Sequence, residues 1–332
     1  MAATLKDVAA LAGVSVCTAS YVINRTGLHK VGEDTQRRIM TAAEKLKYQP
    51  SAIGRALKNG RTCLVGAILP AITSSFLPDV LDGLEDCLNR TGYSLILCTQ
   101  KNQEEFRQKC NVLRKKQVDG AVIVPEKNDD FLRLCDQLAQ EIPTAFVTFR
   151  STNPAIVSVC TDGAAVGYIG AKYLLERGHR RICLPDNGDT WRLQGYQRAF
   201  AEFGVSWDKS ILYSPHTVWK PGAGREMLHY ALDQSPRPTA FHLYSDMLAM
   251  ELLDEALELG FRVPEDFSII GTDGLAIGEL MRPKLTTIAQ PRHEQGFKAG
   301  ELLLAKIDGR PVNNLELYPY LEVRHSVRSL NA

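Results

Sequence analysis

Thr4-Leu5-Lys6-Asp7-Val8-Ala9-Ala10-Leu11-Ala12-Gly13-Val14-Ser15-Val16-Cys17-Thr18-Ala19-Ser20-Tyr21-Val22-Ile23-Asn24 is the stretch that decides the N-terminal fold. Thr4 is a helix cap with acidic Asp7 three places on. Leu5, Val8, Ala9, Leu11 and Ala12 then recur at helical spacing and predict one apolar face. Gly13 supplies the positive φ that a tight turn between helices requires. Ser15 caps a second helix, 16 to about 23, with Ala19, Val22 and Ile23 available for burial. Farther out, Glu33 and Asp34 suit the positive end of a helix dipole. They open a third helix that runs to about residue 47, with Ile39, Ala42, Ala43 and Leu46 on its inner face. Residues 1–49 are therefore expected to form an all-α head.

Two short helices joined by a Gly-containing turn are the geometry that lays the second helix in a DNA major groove. The same three-helix unit also serves as a plain packing module. If it meets DNA, Val16, Cys17, Thr18 and Tyr21 face base edges. Ser15, Thr18, Ser20 and Asn24 contact phosphates or cap. Charge leans the same way. Residues 1–62 carry ten Lys/Arg against four Asp/Glu, a net of +6 within a chain whose total is +1, so the remainder is acidic. Such asymmetry fits one end meeting a polyanion.

The opening stretch, together with Thr35-Gln36-Arg37-Arg38-Ile39 and Leu46-Lys47-Tyr48-Gln49-Pro50, resembles the head of the lactose/galactose repressor family of bacterial transcription regulators. The resemblance implies a helix-turn-helix head whose DNA contacts include Thr4 and Ser51 besides the residues above. Tyr21 departs from it, since relatives often carry Arg there. Tyr cannot make the bidentate Arg–guanine contact, so a different operator preference is expected.

Residues 50–62 lie between head and body. By composition they are a flexible basic linker. The resemblance instead implies a hinge helix that folds when paired with its twin on DNA, with Leu57 as an apolar wedge in the minor groove. Gly54 makes such a helix reluctant by about 1 kcal/mol relative to Ala.

Beyond residue 62, apolar runs at 63–69, 94–98, 121–124, 144–148, 181–184, 239–243 and 268–270 alternate with helical stretches. This predicts parallel sheets covered by helices on both faces, with ligands at the carboxyl ends of the strands, and the resemblance implies that they form two doubly wound parallel α/β subdomains. The resemblance spans the whole chain and implies a periplasmic-binding-protein type of body. Its subdomains would be about 63–160 with 291–322, and about 161–290. It assigns effector contacts to Phe76, Arg192, Trp219, Ser245, Asp273 and Gln290. Taken as residues alone, Arg192 and Asp273 form a structural ion pair and Trp219 packs a core. An Arg, an Asp and an aromatic platform suit a polyhydroxylated ligand, and a sugar or sugar derivative is expected. Thr148-Phe149-Arg150, where relatives often show Asp-Arg, and Ser245 for the usual Asn weaken that hexose pattern.

Other classes fare worse. No G-x-S-x-G, G-x-x-x-x-G-K-[ST] or H-E-x-x-H motif occurs, so no enzyme is expected. Gly163, Gly167 and Gly170 lack dinucleotide-fingerprint spacing and predict close helix packing instead. The eight cysteines form no C-x-x-C pair and read as buried apolar groups, with neither metal nor cofactor expected. A transported-solute binder would need a signal peptide and no basic head. The expectation is a cytoplasmic, nucleoid-associated homodimer that represses transcription from near-palindromic operator DNA, with no membrane partner.

Overall fold

The computed structural model describes residues 3–25, 27–48, 60–70, 75–186, 188, 190–214 and 221–331. It forms two compact units, residues 1–63 and 64–332. Ser51, Leu57 and Trp219 lie outside the described residues.

In the first unit, α1 (Leu5–Ala12), α2 (Val16–Ile23) and α3 (Glu33–Lys45) surround Val8, Ala9, Ala12, Ala19, Val22, Ile39, Ala42 and Ala43. Gly13 sits at φ 65°, and α2 leaves α1 at 105°. Leu11, expected on the inner face, is exposed, because α3 packs on the side of Val8 and Ala12. A 3-10 turn, Leu28–Lys30, precedes α3. The Gln36 amide pins this turn by donating to the carbonyls of Leu28 (2.9 Å) and Val31 (2.7 Å).

The second unit contains two six-stranded sheets. The first half comprises β1 (Leu64–Pro70), α4 (Leu77–Arg90), β2 (Ser94–Gln100), α5 (Gln103–Lys116), β3 (Gly120–Ile123), α6 (Asp129–Ala139), β4 (Thr144–Val147) and β5 (Ile156–Thr161). The second runs α7 (Gly163–Glu176), β6 (Ile182–Pro185), α8 (Thr190–Glu202), β7 (Leu212–Tyr213), α9 (Ala223–Leu232), β8 (Ala240–His242), α10 (Asp246–Glu258), β9 (Ser268–Asp273) and β10 (Thr286–Ala289). The chain then returns to the first half as α11 (Arg292–Ile307) and β11 (Leu315–Leu317), and to the second as β12 (Tyr320–Glu322). Strand orders are β11-β5-β4-β3-β1-β2 and β12-β10-β9-β8-β6-β7. Only β12 is antiparallel among the described pairings. Assigning 291–322 wholly to the first subdomain therefore needs correction. After Leu317 the chain crosses again, because β12 pairs with β10 and Ser326 hydrogen-bonds β9.

Strands buried on both faces explain the apolar runs, since helices cover each sheet twice over. The loops leading into helices end in Asn102, Asn128, Asp162 and Ser245, each capping the helix that follows. Helix crossings are unusually close at two matching places. In the first half, Gly83 of α4 lies against the His293 carbonyl and Gly296 of α11 against that of Val80. In the second, Gly167 of α7 lies against the Arg192 carbonyl and Gly195 of α8 against that of Ala164. Gly170 lies against the His242 ring of β8, so Gly167 serves helix-to-helix packing and Gly170 serves helix-to-sheet packing.

Candidate DNA-reading helix and effector cleft

In the head, Ser15 caps α2. Its hydroxyl accepts from the Thr18 amide at 3.0 Å and bonds the Thr18 hydroxyl at 2.8 Å. Thr4 and Asp7 form a reciprocal capping box, and the Thr4 hydrogen bonds hold the Asp7 carboxyl below its ordinary pKa. Asn24 closes the C-terminus of α2 by donating to the Ser20 carbonyl (2.9 Å) and hydroxyl (3.1 Å). Val16 and Cys17 stand exposed in the first turn of α2, Cys17 on the side away from the buried Ala19 and Val22, with Thr18, Ser20 and Tyr21 partly exposed. The sequence did not reveal that Lys30 lies over the Tyr21 ring, 5.7 Å from its centroid. The 3-10 turn brings it there. Tyr21 titrates above its usual value because Cys17, one turn earlier, interacts with its hydroxyl.

In the body, the expected effector residues follow strand ends. Phe76 follows β1, Ser245 follows β8, Asp273 ends β9 and Gln290 follows β10. Arg192 reaches the same region from the first turn of α8, a helix brought close by the Gly167–Gly195 crossing. Its guanidinium is buried, stacks on Tyr244 at 4.0 Å and donates to the Tyr244 carbonyl at 3.2 Å. Asp273 is buried too, at φ 123°, and accepts from the Gln290 amide at 2.8 Å. Ser245 accepts from the Leu248 amide, so its first duty is to cap α10.

Several cleft groups had no clear signal in the sequence. Asp246 is fully buried, accepting from the Thr287 hydroxyl (2.6 Å) and the Leu275 amide (2.7 Å). Burial pushes its carboxyl up to about 6. Burial and then the Asp246 charge push Asp273 up to about 8, while Gln290, Arg192 and Arg292 pull it back. His242, buried edge-on against Tyr196, is held down to about 3 by burial and by Arg192. Arg292 touches both halves. Across the mouth, Arg150 stacks on Trp191 at 4.7 Å and Lys127 donates to the Gly188 carbonyl at 2.5 Å. These pairs are far apart in sequence, and only the fold joins them. Among the described residues, no His/Cys/Asp/Glu cluster could hold a metal ion.

A helix-turn-helix head and a two-sheet body with polar side chains gathered at its strand ends define a ligand-responsive DNA-binding regulator. Comparisons with known proteins agree. Residues 4–51 match the bacterial regulatory proteins of the lacI family, and residues 171–327 match the periplasmic binding protein-like domain. The chain is 34% identical to the HTH-type transcriptional repressor PurR of Vibrio atlanticus (strain LGP32), over 99% of this chain and 100% of that one. The lac repressor dimer bound to operator and the anti-inducer ONPF superposes with a TM-score of 0.85 at 22% identity, covering 99% of this chain and 100% of that one, which shows the shared fold. A complex of the transcriptional regulator CelR with cellobiose gives 0.72 at 26% identity, covering 98% and 99%. The chain belongs to the lacI family of bacterial regulatory proteins. It is a DNA-binding transcriptional repressor with an effector-binding body, and not an enzyme.

Proposed function

We propose that this repressor works in the cytoplasm as a homodimer on a near-palindromic operator, and that a sugar or sugar derivative between the body halves sets its DNA affinity. The observation that carries this is the gathering of Phe76, Arg192, Ser245, Asp273 and Gln290 at strand carboxyl ends, the Arg and the Asp both buried. Cellobiose in the CelR complex supports a carbohydrate. Planar heterocycles are the second candidate class. Tyr244 and Phe76 offer aromatic faces, and Thr148 supplies no carboxylate. A dimer is supported by the large apolar side chains of Ile277 and Leu280, the latter 78% exposed, on one turn of the second half.

Thermal-shift measurements on the full chain with cellobiose, ribose, sugar acids and nucleobases identify the ligand class. Paired DNA titrations with and without the hit then test the coupling. Arg192→Ala and Asp273→Ala should lose the response and keep basal operator binding. Leu57→Ala should lose specific affinity and DNA bending together. Tyr21→Arg should change the consensus selected from a random DNA library. Full response to ligand in both cleft mutants would sink the assignment of the site.

A further inference from the structure

Arg292 opens α11, directly after the chain crosses from the second sheet back to the first. Its side chain is only 12% exposed and its guanidinium is divided between the two halves. Toward the first half, Nε donates to Asp79 Oδ2 at 2.8 Å and Nη2 stands 2.6 Å from the same oxygen. Asp79 belongs to the first turn of α4, and the Phe76 ring just before that helix lies 6.0 Å from the guanidinium. Toward the second half, Nη1 donates to the Asp273 carbonyl, and Nη2 reaches the Gly274 carbonyl at 3.3 Å.

These two carbonyls belong to a backbone that does not support itself. Asp273 holds φ at 123° without being glycine, a conformation that persists only where neighbours impose it. Gly274 follows at φ 73°, where a Cβ would lie 2.6 Å from that of Ala289. The next amides are tied inward, Gly274 to the Thr287 hydroxyl at 3.2 Å and Leu275 to Asp246. Arg292 closes the outer side of the turn. Its planar fork serves two carbonyls and a carboxylate in one fixed, spread geometry, which a compact lysine ammonium does not reproduce.

We propose that Arg292 is a positioning residue of the effector cleft, holding the Asp273–Gly274 turn while Asp79 of the other half holds Arg292, so that movement of the halves and orientation of Asp273 are one event. The proposal rests on the cleft being the effector site, but its test needs no effector. Amide hydrogen exchange is measured by mass spectrometry on the full chain, without added ligand, for wild type, Arg292→Gln, Arg292→Lys and Asp79→Asn. Exchange in the peptide carrying the Gly274 and Leu275 amides should rise about tenfold in Arg292→Gln and in Asp79→Asn, while β8 amides stay as in wild type. Arg292→Lys, which keeps the charge beside Asp79 without the fork to the two carbonyls, should stay close to Arg292→Gln. Unchanged exchange at 273–276 in Asp79→Asn would overturn the proposal, as would equal loosening of β8 in either variant. Failure of every ligand in the thermal-shift panel would count against the site assignment and leave this result intact.

Discussion

The two halves of the body repeat one plan and differ in what they bury. Each has the same strand order, and each joins its two innermost helices through a reciprocal pair of glycines. Each also places a non-glycine residue at positive φ where its fourth strand stops, Thr148 just past β4 at 65° and Asp273 as the last residue of β9 at 123°. Among the described residues, though, every buried histidine, arginine and carboxylate lies in the second half: His179, Arg192, His242, Asp246 and Asp273. The first half buries neutral Gln100, Thr144, Ser151, Ser158 and, on α11, Gln295. The repeated plan thus packs both halves alike, while the buried ionisable groups are concentrated in one of them.

The shared glycine crossings give the sharpest test, because they should be equally intolerant. Gly83→Val and Gly195→Val each force a side chain into a backbone carbonyl, and each should cost about 3 kcal/mol or more in urea unfolding. If one half tolerates the change, the crossings are not equivalent.

Buried acids should separate the halves by pH. A carboxyl whose folded pKa is raised favours the folded state at low pH, and that contribution disappears as pH rises through the raised value. Asp246, near 6, has completed its loss by about pH 6.5, whereas Asp273, near 8, goes on lowering stability until about pH 8, so the decline between pH 6.5 and 8 belongs to Asp273. The buried histidines, near 4 and 3, are already neutral across that window in the folded state, and their linkage acts below it. Asp273→Asn should flatten the decline of Tm, whereas Thr148→Ala at the matching position should keep it. A wild-type slope preserved in Asp273→Asn would remove the distinction.

The smallest effect is expected where the halves meet at the mouth. Arg150→Ala loses the stack on Trp191, a partly exposed contact worth about 0.5–1 kcal/mol. Tm should barely move, while tryptophan emission shifts to the red. A large fall in Tm would mean that Arg150 matters mainly through its 2.6 Å pair with Glu316 inside the first half.

Local signals made much of this fold legible. Gly13 and Ser15 announced the turn and the cap of the head, and alternating apolar runs announced β1, β2, β3, β4, β6, β8 and β9. The runs did not include β5 or β10, and the short β7, β11 and β12 were not anticipated. Two or three residues carry little periodicity, and Tyr320 in β12 is exposed. At the strand ends, the resemblance named Arg192, Asp273 and Gln290 as expected contacts, matched Asp246 only as the second residue of a loop pattern, and did not point to Arg292. Asp246 reads as an ordinary acid at a helix start until Thr287, 41 positions later, is folded over it. Arg292 and Asp79 are 213 positions apart, and no period in the chain connects them.

The return of α11 to the first half also sets an order of assembly during translation. A ribosome delivers β1 to β5 and α4 early, but the helix that covers the Gly83 face of α4 begins only at Arg292. The whole of α7 to β10, about 130 residues, is made in between. At ~5–20 residues per second that interval is roughly 6–26 s. Through it the nascent first half carries an uncovered apolar ridge of Val80, Leu84 and Cys87, a surface suited to chaperone capture. The part synthesised first is therefore sealed late, once α11 has emerged behind the second half.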